Sequence, residues 1–191
     1  MRIVLLGAPG SGKGTQAALL VELLKLPHIS TGELLRSAVA SGTELGRQAK
    51  VVMDRGELVS DDIMLGLIEE RLSQDDTRGG FILDGYPRNI DQAGALDGLL
   101  ARLEQPVDKA LQIDVDVERV IERIARRAAE EGRSDDSEDV ARNRMKVYAQ
   151  QTAPVVDYYA AQGVLSRVLG IGSIDEVFQR ITGVLHVLSE P

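Results

Sequence analysis

The residues Gly7-Ala8-Pro9-Gly10-Ser11-Gly12-Lys13-Gly14-Thr15 directly follow an apolar run, Ile3 to Leu6, and lead into a helical pattern. Glycines at this spacing let the backbone turn so that successive N–H groups point inward and cradle phosphate oxygens. The helix N-terminus adds positive potential there, and a lysine at position 13 reaches the outer phosphates. The chemistry this predicts is binding of a nucleotide polyphosphate. One departure from the general pattern stands out: Gly14 occupies the position after the lysine, where Ser or Thr usually ligates Mg²⁺, and Thr15 follows one residue later.

Two further residues fit phosphoryl chemistry. Asp84 closes an apolar strand, Phe81 to Leu83, and an open parallel sheet presents its ligand crevice at the carboxyl ends of its strands. It is a candidate acceptor for Mg²⁺-bound water, with a helix or turn cap as the structural alternative. Arg88 lies four residues on and could grip a transferring phosphoryl group, or form a surface ion pair. Only five of the 22 basic residues are lysines, and eight of the 22 fall between Arg119 and Lys146. Arg119, Arg123 and Arg127 recur every fourth residue, which places them on one helix face. A solvated face paired to Glu122, Glu130 and Glu131 is one reading, and convergence of Arg88, Arg123, Arg127, Arg133 and Arg144 on a polyphosphate is the other. Phosphoryl transfer needs fixed cations around the charged equatorial oxygens. His28 and His186 have no acidic or cysteine partners at ligand spacing and read as structural histidines.

The elements that must position these residues alternate. Apolar runs at Ile3 to Leu6, His28-Ile29, Phe81 to Leu83, Ala110 to Ile113 and Val164 to Leu169 read as buried strands. Between them, Thr15 to Lys25 and Ile63 to Leu72 carry helical spacing, so an α/β fold with a parallel five-stranded sheet is predicted. Ser173 and Glu176 form a capping box for a last helix, with Ile174, Val177, Ile181, Val184, Leu185 and Leu188 as its buried stripe. Two regions interrupt the alternation. Residues 30–59 read as a helical insert of two stretches, Gly32 to Ala40 and Thr43 to Asp54. Residues 126–136 read as a short lid loop crowded with charge. The core then comprises 1–29, 60–125 and 137–191 of a single domain.

Composition narrows the function classes. A chain of 191 residues with 43% hydrophobic content, only six aromatics and no cysteine can bury an aliphatic core, and has neither disulfides nor thiolate metal sites. Its apolar runs are far shorter than the ~20 residues of a membrane span, and Met1 leads straight into Arg2 and a strand pattern. A formal charge of −8 repels polyanions, so nucleic acid is a poor partner. A cytoplasmic monomer acting on small molecules is the expectation.

The loop Gly7 to Thr15, with Gly between the Lys and the Thr, resembles that of adenylate kinases, which are nucleoside monophosphate kinases. The likeness continues through Ser30-Thr31-Gly32-Glu33-Leu34-Leu35-Arg36, Gly56-Glu57-Leu58-Val59, Gly80-Phe81-Ile82-Leu83-Asp84-Gly85-Tyr86-Pro87-Arg88, Gln92, and Gly132-Arg133-Ser134-Asp135-Asp136 with Arg144. It covers nearly the whole chain. The resemblance implies a P-loop kinase fold with a monophosphate-binding insert and a short lid that lacks a zinc-binding subdomain. It implies Mg²⁺-dependent transfer from ATP to AMP, giving two ADP. ATP would be held by Gly10, Ser11, Gly12, Lys13, Gly14, Thr15, Arg127 and Gly172. AMP would be held by Thr31, Arg36, Glu57, Leu58, Val59, Gly85, Tyr86, Pro87, Arg88, Gln92, Arg133 and Arg144, with Gln92 on the adenine edge. Lys13, Arg88, Arg123, Arg133 and Arg144 would be catalytic, and Asp84 would position the metal. Asp135 and Asp136 either orient these arginines or solvate the loop. Thr31 and Tyr86 favour AMP over a pyrimidine monophosphate, for which related kinases show Ala and Phe. A UMP or CMP kinase on the same scaffold and a non-catalytic ATP-binding switch are the alternatives.

Overall fold

The computed structural model describes residues 1–116, 119–121, 123–124, 127–128 and 137–186. Five strands, β1 (Arg2–Leu6), β2 (His28–Ser30), β3 (Phe81–Asp84), β4 (Lys109–Asp114) and β5 (Leu165–Leu169), form one sheet. Its order is β2-β3-β1-β4-β5, and every neighbouring pair runs parallel. All five expected strands are present. Because the pairing is parallel throughout, every strand ends at the same edge. The chain leaves β1 toward β2 on one side and β3 toward β4 on the other, and this reversal opens a crevice above the ends of β1 and β3.

Helices cover both faces. α1 (Lys13–Leu24) and a later helix, α8 (Ile174–Leu185), pack on one side, where Leu20, Ile181 and Leu185 meet Ile3, Leu5 and Ile82. On the other side α4 (Asp61–Leu72), α5 (Ile90–Arg102) and α7 (Pro154–Ala161) bring Ile68, Leu96 and Tyr159 against Val4, Phe81 and Leu83. Alternate residues of β1 and β3 thus face opposite layers, as the two-residue repeat of a strand requires. α6 (Glu138–Val147) runs into α7 through a π-helical turn, Tyr148–Thr152.

The insert holds two helices, α2 (Thr31–Ala40) and α3 (Glu44–Met53). Ser30 Oγ accepts from the Glu33 N–H, and Thr43 Oγ1 from the Gly46 N–H at 3.0 Å, so each start has a side-chain cap. The capping box of α8 is formed by Ser173 and Glu176 as expected. Its stripe needs one correction: Ile174, the first residue of α8, is 55% exposed, while Val177, Ile181 and Leu185 are buried. Leu188 lies outside the described residues. So does most of the lid expected at 126–136, with Arg126, Arg133, Asp135 and Asp136.

Candidate active site

The glycine-rich loop joins β1 to α1. Gly10 has a φ of +77°, and a Cβ there would lie 2.8 Å from Ile124 Cγ1, so only glycine lets the loop rest on the segment that follows β4. α1 begins at Lys13, whose Nζ donates to the carbonyls of Gly7 at 2.8 Å and Ala8 at 3.0 Å. Burial lowers its pKa to about 8; Arg88, Arg144 and Arg127 push the same way, and Asp84 opposes them. A lysine ringed by arginines is a concentrated positive field awaiting an anion. Ser11 is 2% exposed and its Oγ has no hydrogen-bond partner among the described residues. Its carbonyl accepts from Arg123 Nη1 at 3.3 Å.

Asp84 ends β3 beside this loop. Burial alone would raise its pKa, yet His28, Lys13 and Arg88 together hold it below the ordinary carboxylate value, so it is ionised at neutral pH. His28 Nε2 lies 3.6 Å from Asp84 Oδ2. The pairing of β2 with β3 sets Ser30 beside Asp84 and His28 two residues below, which gives His28 an acidic neighbour that spacing along the sequence does not show. A buried, ionised carboxylate among cations suits Mg²⁺, which retains water and takes one or two carboxylates plus phosphate oxygens. Among the described residues no group of three or more acidic, histidine or cysteine side chains could hold a metal by itself.

The turn after β3 carries Arg88. Gly85 has a φ of +83°, and a Cβ there would lie 2.6 Å from Thr31 Oγ1, so glycine is required at this corner. Arg88 Nε donates to the Gly85 carbonyl at 2.6 Å, the Arg88 N–H donates to Gln92 Oε1 at 2.7 Å, and Thr152 Oγ1 donates to the Arg88 carbonyl at 2.7 Å. Gln92 Nε2 in turn donates to Asp61 Oδ1 at 2.7 Å. From the opposite wall α6 reaches the insert, where Asn143 Nδ2 donates to the Arg55 carbonyl at 2.6 Å and sets Arg144 beside Gly56.

These walls enclose a cleft of about 760 Å³. It is bordered by Gly10 to Thr15, Arg36, Glu57 to Val59, Asp84, Gly85, Pro87, Arg88, Gln92, Arg123, Arg127, Arg144 and Gly172, so most of the expected site is brought together. Thr31 and Tyr86 stand behind its surface at 0% and 1% exposure. Thr31 Oγ1 donates to the Asp84 carbonyl at 3.3 Å. Burial, with the charge of Asp61 second, raises the Tyr86 pKa to about 12, so its hydroxyl stays protonated. Arg133 lies outside the described residues.

Of the segment 169–174 only Gly172 was expected at the site from the sequence; the pinning of its carbonyls by side chains was not. Arg180 Nη1 donates to the carbonyls of Leu169 at 2.8 Å and Ile171 at 2.6 Å, Arg123 Nη2 to Gly170 at 3.1 Å, and Gln16 Nε2 to Ile174 at 3.0 Å. Gly170, Ser173, Ile174, Gln16 and Tyr148 all border the cleft. For Gln16 a signal was available, as a polar residue one turn into a helix that opens with a phosphate loop.

A parallel sheet in this order, with a glycine-rich loop between its first strand and helix and cations facing an acid across the crevice, defines a P-loop nucleotide-binding protein of the kinase type. The family model described as adenylate kinase matches residues 5–164. Curated relatives carry the same name: one from Stenotrophomonas maltophilia (strain K279a) is 61% identical over 95% of this chain and 97% of its own. Others from Xylella fastidiosa (strain 9a5c) and Xanthomonas campestris pv. campestris (strain 8004) are 59% and 58% identical over the same shares. The chain belongs to the adenylate kinase family.

Proposed function

We propose that the cleft transfers the terminal phosphoryl group of ATP to AMP reversibly, giving two ADP. The observation that carries this reading is the position of Lys13, Asp84 and Arg88 around one crevice that Arg123, Arg127 and Arg144 also border. ATP phosphates lie on the amides of Gly10 to Thr15 and on Lys13, whose contacts to Gly7 and Ala8 give way to phosphate oxygens. The AMP phosphate is held by Arg36 and Arg88. An AMP oxygen attacks the γ-phosphorus in line, and the bond from that phosphorus to the bridging oxygen breaks, leaving ADP on each side. Little covalent work falls to the protein, so placing cations around the migrating group supplies most of the acceleration. Arg123 is held on the Ser11 and Gly170 carbonyls and must exchange them for phosphate.

Mg²⁺ would be held near Asp84 through water and would neutralise charge on the β- and γ-phosphates. Arg133, and the lid as a whole, are assigned by resemblance. Closure of insert and lid excludes water that would otherwise hydrolyse ATP. A cytoplasmic monomer is the working form we propose; no described helix is long and apolar enough to cross a membrane.

The test is ADP formation from Mg²⁺·ATP with AMP, CMP, UMP or GMP, with Lys13→Met as background. Rapid turnover with AMP, lost in that variant, supports the reading. Preference for CMP or UMP would replace the acceptor and keep the mechanism. No stimulation by any monophosphate would overturn it.

A further inference from the structure

We propose that Asp61 is a specificity-determining positioning residue. Its carboxylate and the Arg88 backbone N–H lock the Gln92 amide in one of its two orientations, so the acceptor pocket selects amino bases over oxo bases. The inference rests on the proposed reaction and on the cleft position of Gln92.

A glutamine amide carries a carbonyl with two lone pairs and a nitrogen with two hydrogens, and a half-turn of its last torsion exchanges them. Both neighbours of Gln92 forbid the exchange. Nε2 faces Asp61 Oδ1 at 2.7 Å, and a carboxylate only accepts; Oε1 faces the Arg88 N–H at 2.7 Å, and a backbone N–H only donates. The reversed amide would lose both hydrogen bonds and set oxygen against carboxylate and N–H against N–H. Asp61 is itself fixed. Asn89 Nδ2 donates to both its oxygens at 3.1 and 3.2 Å, while Asn89 Oδ1 accepts the Gln92 backbone N–H at 2.8 Å. Asp61 also opens α4, where the helix N-terminus favours a negative charge.

After these bonds one Nε2 hydrogen and one Oε1 lone pair remain for a ligand. Gln92 is 1% exposed and borders the cleft. An N–H and a lone pair in fixed order match the edge of adenine, where ring N1 accepts and the N6 amine donates. Cytosine shows the same order at N3 and N4. Hypoxanthine and guanine reverse it with N1–H and O6, so the same amide meets donor with donor and acceptor with acceptor. A site that leaves buried polar groups unpaired rejects the wrong substrate far more strongly than one that merely loses apolar contact.

The experiment compares AMP with IMP as acceptors for the full-length wild type, Asp61→Ala, Asp61→Asn and Gln92→Ala. It reads kcat/KM for each acceptor, KM for ATP, and calorimetric binding of each monophosphate alone. In Asp61→Ala the AMP:IMP ratio falls about tenfold, the scale of one lost hydrogen bond to a charged group. Asp61→Asn, which can donate or accept, lowers it at least threefold. KM for ATP stays unchanged in both, and Asp61→Ala adds nothing in a Gln92→Ala background. An AMP:IMP ratio unchanged in Asp61→Ala, with both acceptors weakened alike, would overturn the proposal as a purely structural role. If Asp61→Ala fails to fold, an unchanged ratio in Asp61→Asn does the same. A wild-type ratio in Gln92→Ala would also overturn it, while ADP formation by the wild type would leave the reaction itself standing. If no monophosphate supports turnover, the reaction fails, and the calorimetric ratio still decides the role of Asp61.

Discussion

The two ends of the cleft are built on opposite plans. At the end formed by β3, α4 and α5, side chains meet the ligand space, and they are held by one another: Arg88, Asn89 and Gln92 are neighbours in sequence, with Asp61 as their anchor. At the other end the backbone of 169–174 borders the space and side chains pin its carbonyls: Arg123 and Gln16, far off in sequence, hold Gly170 and Ile174, and Arg180, on the helix this segment leads into, holds Leu169 and Ile171. A side-chain reader is encoded where it stands. A backbone reader can have almost any local sequence, and its geometry is encoded elsewhere, in the residues that clamp it.

The largest effects are expected at the centre that both ends share. Lys13→Met and Arg88→Ala remove cations that serve the shared phosphate region, and each should lower kcat by ~10³ or more with the fold intact, as measured by ADP formation and far-UV circular dichroism. Near-normal turnover of Arg88→Ala would remove it from the mechanism. The pH response follows from the depressed Lys13. Free Lys13 loses its proton as pH rises through about 8, whereas bound phosphate favours the charged form, so Mg²⁺-free ATP binding should be flat below that pH and weaken above it. The slope should approach tenfold per pH unit, with matching proton uptake by calorimetry.

Smaller effects separate the two ends. Arg180→Ala should raise KM for ATP about threefold to tenfold, since its hydrogen bonds are charge-assisted but its side chain is solvent-exposed. KM for AMP should not move, and Arg180→Lys should restore part of the loss. Equal changes in both KM values would show that the clamp serves overall stability. Asn89→Ala removes the cap of α5 and a donor to Asp61, and should lower unfolding free energy by about 1 kcal/mol in a urea titration while affecting AMP more than ATP.

Much of the acceptor end was legible. The phosphate loop, Asp84, Arg88 and Gln92 stand in short motifs whose residue types state their chemistry, and all five strands follow from apolar runs between polar punctuation. Asp61 was not, because an acidic residue at a helix start has an ordinary explanation there and its partners lie about thirty residues downstream. The acid beside His28 was not legible for a related reason, since it arrives from the adjacent strand. In the backbone segment at the other end only Gly172 and the capping box of α8 were legible. Arg180 and Gln16 sit on helices where any polar residue would satisfy the pattern, and Ile174 matches an apolar stripe that is buried only from one turn later, at Val177.

By itself, the sequence determined what depends on neighbours along the chain: the alternation of strands and helices, the capping box of α8, and a glycine-rich turn shaped for phosphate. The tertiary structure decided what depends on meeting across the sheet. It set His28 against Asp84, Asp61 against Gln92, and Arg123 and Gln16 against the carbonyls of Gly170 and Ile174. Backbone periodicity reports which face of an element is buried, but hydrogen bonds between elements depend on strand order and register, and those are settled only when the whole core packs.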